Sequence, residues 1–367
     1  MTPFAWTADH LALLAGVEPV TAPKITAADI QRVTADVDVW DHWPVLDVDG
    51  ATANFDGRAL VIALSAPVFD DPNRRHDLAR LRLFSVAGDD WTDLGFVLPD
   101  GFTPGSREWA GSAVIDEAHE RLDLYFTATG LAGETLPSFN QRILGCRARM
   151  DGADGRRRPI DWSAPAELIR PDDVHYQSRH EGGGAVGAIK AFRDPFVFID
   201  SQTGLRAMVF TGSSPSTPSA WNGVVGLAID GNDGWVIRAP LVTALGVNNE
   251  LERPHIVGHE GRIYLFWSTQ AGVFAPGIAG RTGLYGLVSD RLQGPWSPLN
   301  GSGLVFANPE AAPAQAYSWQ VLDDLSVWSF ADQVSLPGRA TRPVPFAGAP
   351  APALQLWLDG DRAGLQK

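Results

Sequence analysis

Glycine and proline punctuate this chain along its whole length, 38 and 27 times in 367 residues, and leave room mainly for short elements. Between the breaks lie runs at residues 59–65, 80–85, 121–127, 196–200, 206–210, 262–267 and 325–330. Several alternate apolar and polar side chains with the period of two that belongs to a half-buried strand. The chain is therefore expected to be all-β. Helix is expected only at the N-terminus, where Thr7-Ala8-Asp9-His10 opens an apolar run stopped by Gly16, and Thr26-Ala27-Ala28-Asp29 has the form of a capping box.

Many short strands are compatible with a sandwich, a barrel or a propeller, and periodicity does not choose among them. No clean internal repeat of the kind that marks propeller blades is visible. All-β architectures commonly exceed the usual ~100–200 residues per domain. No Pro/Gly/Ser-rich linker or charge block divides the chain, so residues 1–367 read as one domain, with residues 1–35 as a helical arm.

The 43 acidic residues outnumber the 29 basic ones, for a formal charge of -14, and such a surface repels phosphate backbones. Nucleic acid is excluded as an expected partner, whereas a neutral sugar is not repelled. Thirteen tryptophans offer rigid faces for sugar rings, although packing between elements is the reading for most of them. A single cysteine, Cys146, rules out an intrachain disulfide and a four-thiolate metal site. No segment approaches ~20 uninterrupted apolar residues, and the first residues lack a basic, apolar leader pattern, so a soluble protein without membrane association is expected.

Three acidic signatures carry the chemistry: Val39-Trp40-Asp41-His42-Trp43-Pro44, Phe192-Arg193-Asp194-Pro195 and Glu250-Leu251-Glu252-Arg253-Pro254-His255. Glycosyl transfer needs one carboxylate to attack or steady an oxocarbenium ion and another carboxyl group to protonate the leaving oxygen. An adjacent arginine would keep a part-buried aspartate ionised, and an apolar neighbour would keep a glutamate protonated. Singly, each string has a plainer reading: a turn, a structural ion pair, a solvated strand face.

Together and in this order, the strings resemble the nucleophile, "RDP" and acid/base motifs of glycoside hydrolase family 68, the levansucrases, inulosucrases and related bacterial β-fructofuranosidases. The resemblance extends to Ala5-Trp6-Thr7, Arg107-Glu108-Trp109-Ala110-Gly111, Pro240-Leu241-Val242-Thr243-Ala244 with Gly246-Val247-Asn248-Asn249, Pro298 through Val305, Asn308-Pro309 and Ala316-Tyr317-Ser318. It covers nearly the whole chain. It implies a five-bladed β-propeller with the active site in a central funnel. It also implies Asp41 as nucleophile on sucrose, Glu252 as acid/base and Asp194 as transition-state stabiliser. Trp40 and Trp109 would stack on the fructosyl ring, and Arg193 would bind substrate hydroxyls. Arg253 and Tyr317 would support Glu252, and Glu250 and Gln270 would line the glucose or acceptor side.

Some positions depart from the pattern the resemblance sets. Thr211 stands where the family commonly has glutamate, Gln270 and Ala271 where a histidine is common, and Trp319 where histidine is frequent. No calcium-binding segment is recognisable, and neither metal nor cofactor is expected. The motif-like Gly182-Gly183-Gly184-Ala185-Val186-Gly187 lacks a preceding strand, His175 and His180-Glu181 fit no helical zinc spacing, and Asn300-Gly301 reads as a tight turn. The expected activity is sucrose-cleaving fructosyl transfer to fructan, sugar or water. A mainly hydrolytic β-fructofuranosidase is the alternative, and a fructan-binding propeller without catalysis a third reading. The resemblance favours an extracellular location reached by export without a cleavable signal, with the cytoplasm as the alternative, and oligomeric state is not legible.

Overall fold

In the computed structural model, which describes residues 2–116, 118–153, 156–178, 189–339, 341 and 343–366, the short runs become the strands of five antiparallel blades. Blade I is Val37–Leu46, Ala59–Pro67, Arg80–Ala87 and Asp90–Phe96. Blade II is Arg107–Ile115, Arg121–Thr129, Gln141–Asp151 and Ala166–Ile169. Phe192–Ile199, Arg206–Ser213, Gly223–Gly231 and Gly234–Thr243 make blade III. Blade IV is Glu252–His259, Arg262–Thr269 and Gly283–Ser289, the last paired with both Ser297–Pro298 and Leu304–Ala307. Ala316–Val321, Ser326–Ala331, Leu354–Asp359 and Arg362–Leu365 complete blade V.

The first strands of successive blades lie against one another, I on II through IV on V, and the second strand of blade V packs on the first of blade I. They form the inner wall of a β-propeller. Blades I and II are fused into one sheet where Val45 and Leu46 pair in parallel with Ala113 and Val114. The apolar core lies between blades: one large cluster joins blades I, II, IV and V, and a second joins III and IV to the N-terminal arm.

All seven expected strands are present, most of them longer than expected. The run at 196–200 begins as early as Phe192, because Pro195 falls within an irregularity of the strand, where a missing N–H is tolerated. The arm is less helical than expected: Ala8–Ala12 is the only α-helix among the described residues, and Thr26 caps a single 3-10 turn, Ala27–Asp29. Further 3-10 turns at Pro72–Asp77 and Ala271–Val273 lie outside the arm, so helical geometry is not confined to the N-terminus.

The arm holds neighbouring blades together. Phe4 and Ala5 pair in parallel with Val242 and Thr243, and buried Trp6 donates from Nε1 to the Ser302 carbonyl at 2.9 Å, edge-on to Trp267, Phe274 and Tyr285. Where blade V meets blade I, the Val39 N–H donates to the Gly348 carbonyl, and Asp38, 1% exposed, takes Arg32 at 2.7 Å and Arg339 at 2.5 Å.

Candidate active site

One backbone device recurs on the inner wall. In four blades the first strand carries one residue more than its partner over the same stretch: Trp40 to Trp43 opposite Leu64 to Ile62, Arg193 to Phe196 opposite Thr211 to Val209, Glu252 to His255 opposite Ser268 to Phe266, and Tyr317 to Gln320 opposite Phe330 to Trp328. These are β-bulges, which re-aim side chains out of the pleat. In each, the residue after the first of these pairs has positive φ: Asp41 42°, Asp194 58°, Arg253 48° and Ser318 63°. Non-glycine residues rarely adopt that region, and it is held where surrounding structure overdetermines it. Blade II has its own irregularity at Trp109 to Gly111, where a Cβ on Gly111 would lie 1.9 Å from the Tyr125 carbonyl oxygen.

Hydroxyls from second strands fasten the bulge of the following blade. Thr127 Oγ1 accepts the Asp194 N–H at 3.0 Å, Thr211 Oγ1 the Arg253 N–H at 3.2 Å, and Ser268 Oγ the Trp319 N–H at 2.9 Å. Thr211 also donates to Asp194 Oδ2 at 3.0 Å. The threonine that departs from the expected glutamate thus contacts the Asp194 carboxylate directly.

Three of the expected acids converge on one arginine. Arg193 Nη2 lies 2.6 Å from Glu252 Oε1 and 3.4 Å from Glu250 Oε1, and its Nε lies 3.5 Å from Asp194 Oδ2. Tyr317 donates its hydroxyl to the other Glu252 oxygen, Oε2. The expected apolar neighbour of Glu252 is therefore replaced by a guanidinium and a phenol. Burial opposes the charge on Arg193, but Glu252, Glu250 and Asp194 outweigh it and hold the side chain cationic. Burial pushes Asp194 up to about 6, with Arg193 opposing and Glu252 and Asp41 adding to the rise. Burial likewise lifts Glu250 to about 7.

Asp41 joins this cluster from the blade I bulge. Burial raises its pKa, while Arg253, a hydrogen bond from the Ser318 side chain and Arg75 hold it back. Arg253, expected to support Glu252, interacts with it through charge, and its hydrogen bonds go elsewhere. Its Nη1 donates to Ser318 Oγ at 2.9 Å, and its Nη2 to the His42 carbonyl at 3.1 Å and Gln320 Oε1 at 2.9 Å, so it ties the bulge of blade IV to those of blades I and V. His255 closes the motif as a structural group, its Nδ1 against the Arg253 carbonyl and its Nε2 accepting the Val321 N–H, and burial pushes it down to about 4.

The two tryptophans differ from the expected open platforms. Trp40 is 1% exposed and packed by His76 and Phe346, and Trp109 is 9% exposed beside Phe139. Their Nε1–H groups, with Arg193 Nη1, are buried without an acceptor among the described residues, and a polyhydroxylated ligand could satisfy them. Gln270 begins the Ala271–Val273 turn, next to the Glu250 loop, where Asn248 Oδ1 accepts the Glu250 N–H and Asn249 N–H donates to the Val273 carbonyl.

Sequence reading missed several members. Arg75 and Asp332 stand near Asp41, and burial raises Asp332 to about 6 against the pull of Arg75. Arg75 stacks 3.9 Å over Phe346 from the turn Pro72–Asp77. Asp71 before Pro72, an N-cap followed by proline at the first position, was the available signal for that turn. Lys190 places Nζ on Asn249 Oδ1 at 2.7 Å, Asn222 Oδ1 at 2.9 Å and the Ala220 carbonyl at 2.5 Å, near Glu250.

Other sequence features stand apart. A cavity of about 350 Å³ lined by Leu46, Ile115, Phe198, Val257 and Leu322, from the far ends of the inner strands, contains none of the acids above. His175 lies in a turn whose N–H groups are taken by Asp172, and Asn300-Gly301 is a turn with both residues at positive φ. His180, Glu181 and the glycine-rich 182–187 lie outside the described residues. Among the described residues no cluster of three His, Cys, Asp or Glu suits a metal, and no helix is long and apolar enough to cross a membrane.

Comparison with known proteins agrees with the whole chain. The levansucrase/invertase family model matches residues 1–219 and 216–367. A levansucrase of Rahnella aquatilis is 31% identical over 409 aligned positions, spanning 100% of this chain and 95% of the relative. An inulosucrase from Halalkalicoccus jeotgali, solved bound to kestose, superposes with a TM-score of 0.89 at 33% identity over 99% of this chain and 95% of its own. A levansucrase from Gluconacetobacter diazotrophicus, at 23% identity and a TM-score of 0.81 over 100% of this chain and 90% of its own, shares the fold.

Proposed function

The chain belongs to the levansucrase/invertase family, and on that premise we propose that it is a retaining fructosyltransferase that cleaves sucrose, with Asp41 as nucleophile and Glu252 as acid/base. The carrying observation is the convergence of carboxylates from blades I, III and IV on a shared pair of arginines. Asp41 attacks the anomeric carbon of the fructosyl unit while Glu252 gives a proton to the glycosidic oxygen, and glucose leaves. The covalent fructosyl-enzyme then yields to an acceptor deprotonated by Glu252, so configuration is retained through two displacements.

The other residues serve charge and position. Asp194, held by Thr211, Thr127 and Arg193, faces the positive charge that develops on the ring, where a preorganised carboxylate stabilises the transition state more than the ground state. Arg193 orients three carboxylates and keeps Nη1 for a substrate hydroxyl. The test is a Glu252→Ala variant assayed on sucrose and on fructosyl fluoride, whose leaving group needs no proton. Loss on sucrose with retained fluoride cleavage supports the acid role; equal loss on both removes it. In the unmodified protein, glucose in excess of free fructose reports transfer, and equal amounts report hydrolysis.

A further inference from the structure

Blades I and V leave a groove of about 520 Å³ between them, within the size range of small-molecule sites. Trp91 and Trp328, both half-buried, flank it, and the ring of His42 lies between them at 5.6 and 5.7 Å centroid to centroid. His42 is 3% exposed, and its Nδ1 is buried without a partner among the described residues. Thr52, on the same wall, has a hydroxyl in the same condition. Two unsatisfied polar atoms beside two aromatic rings make a built site, because buried polar groups normally have partners.

The chemistry selects a neutral polyhydroxylated ligand. The groove's arginine, Arg58, is spent on Asp90 and Ser85, and Asp29 is spent on the Thr26 cap, which leaves Asp89 at the rim. Burial, then Arg253, pushes His42 down to about 3, so the imidazole is neutral. A neutral imidazole offers Nδ1 as donor or acceptor according to tautomer, and a hydroxyl group can answer either. The indole faces cover the C–H surface of a ring, and Gln31 and Asn54 stand at the edge for further hydroxyls.

We propose that this groove is a second, non-catalytic saccharide site that holds a fructosyl oligosaccharide, an identification of the ligand that rests on the activity proposed above. Kestose, titrated calorimetrically into the cleavage-deficient Asp41→Ala protein, is expected to fill two sites. Adding Trp328→Ala should weaken one of them roughly tenfold and leave the other unchanged, as truncation of an aromatic anchor does. Thr52→Val should weaken the same site by a smaller factor while preserving its shape, and it carries the test if the melting curve shows that Trp328→Ala fails to fold. A single kestose site that neither substitution alters overturns the proposal. With Asp41 intact, normal glucose release by Thr52→Val together with one-site binding defeats the groove alone. Failure of the unmodified protein to cleave sucrose defeats the catalytic reading.

Discussion

Asp194 shows how a single side chain is tuned by its neighbours. In the proposed mechanism its carboxyl must be ionised to face an oxocarbenium-like centre, yet burial sets it near 6, so kcat is expected to fall as pH drops through about 6 rather than through the ordinary aspartate range. Thr211 donates to that carboxylate, and a donor to the charged form lowers the pKa. Thr211→Val should therefore move the acid limb of the kcat profile upward, by about half to one unit, and lower kcat itself by roughly tenfold, as removal of a hydrogen bond to a charged group does. An unmoved limb would show that Thr211 is only a backbone fastener. The acids were legible in the sequence because their motif strings resemble a family. Arg75 and Asp332 were not, since each comes near Asp41 from a segment far from it in the chain, a proximity that no local pattern encodes.

At the level of the element, strand existence was readable from period-two alternation, whereas the bulges were not. A bulge adds one residue to one strand, and the sequence carries no mark of which residue is extra; Pro195 and Pro254 after the positive-φ residues are the nearest thing to a sign. In blade II the irregularity depends on Gly111, because a Cβ there meets the Tyr125 carbonyl. Gly111→Ala should destabilise the fold by about 2–4 kcal/mol, read as a lower midpoint in urea unfolding. The proposed acceptor side is another element-level feature. The Ala271–Val273 turn carries no cationic or imidazole side chain, and the nearby cation, Lys190, already gives all three donors to Asn249, Asn222 and Ala220. Sparse acceptor contacts favour water over sugar at the fructosyl-enzyme. Gln270→His should raise the ratio of transfer to hydrolysis, measured as glucose against free fructose, without a matching change in total sucrose cleavage.

On the scale of the whole molecule, the site exists only where all the inner strands meet. What repeats from blade to blade is a backbone conformation and a position, filled by Trp-Asp, Arg-Asp, Glu-Arg and Tyr-Ser in turn, which is why the fivefold design leaves no sequence repeat. The blades must be held in register for the carboxylates to converge. Trp6 contributes by filling the space beside Trp267, Phe274 and Tyr285 and bonding Ser302. Trp6→Ala should cost about 3–5 kcal/mol, seen as a lower melting temperature with activity lost in step with folding. The measurement that bears most directly on the assignment is a rapid acid quench of the protein turning over sucrose, followed by peptide mapping. One hexosyl unit should be found on the peptide containing Asp41, and on Asp41 itself, while Asp41→Ala carries none. A hexosyl adduct on Asp194 or Glu252 would contradict the assignment of Asp41 as the nucleophile.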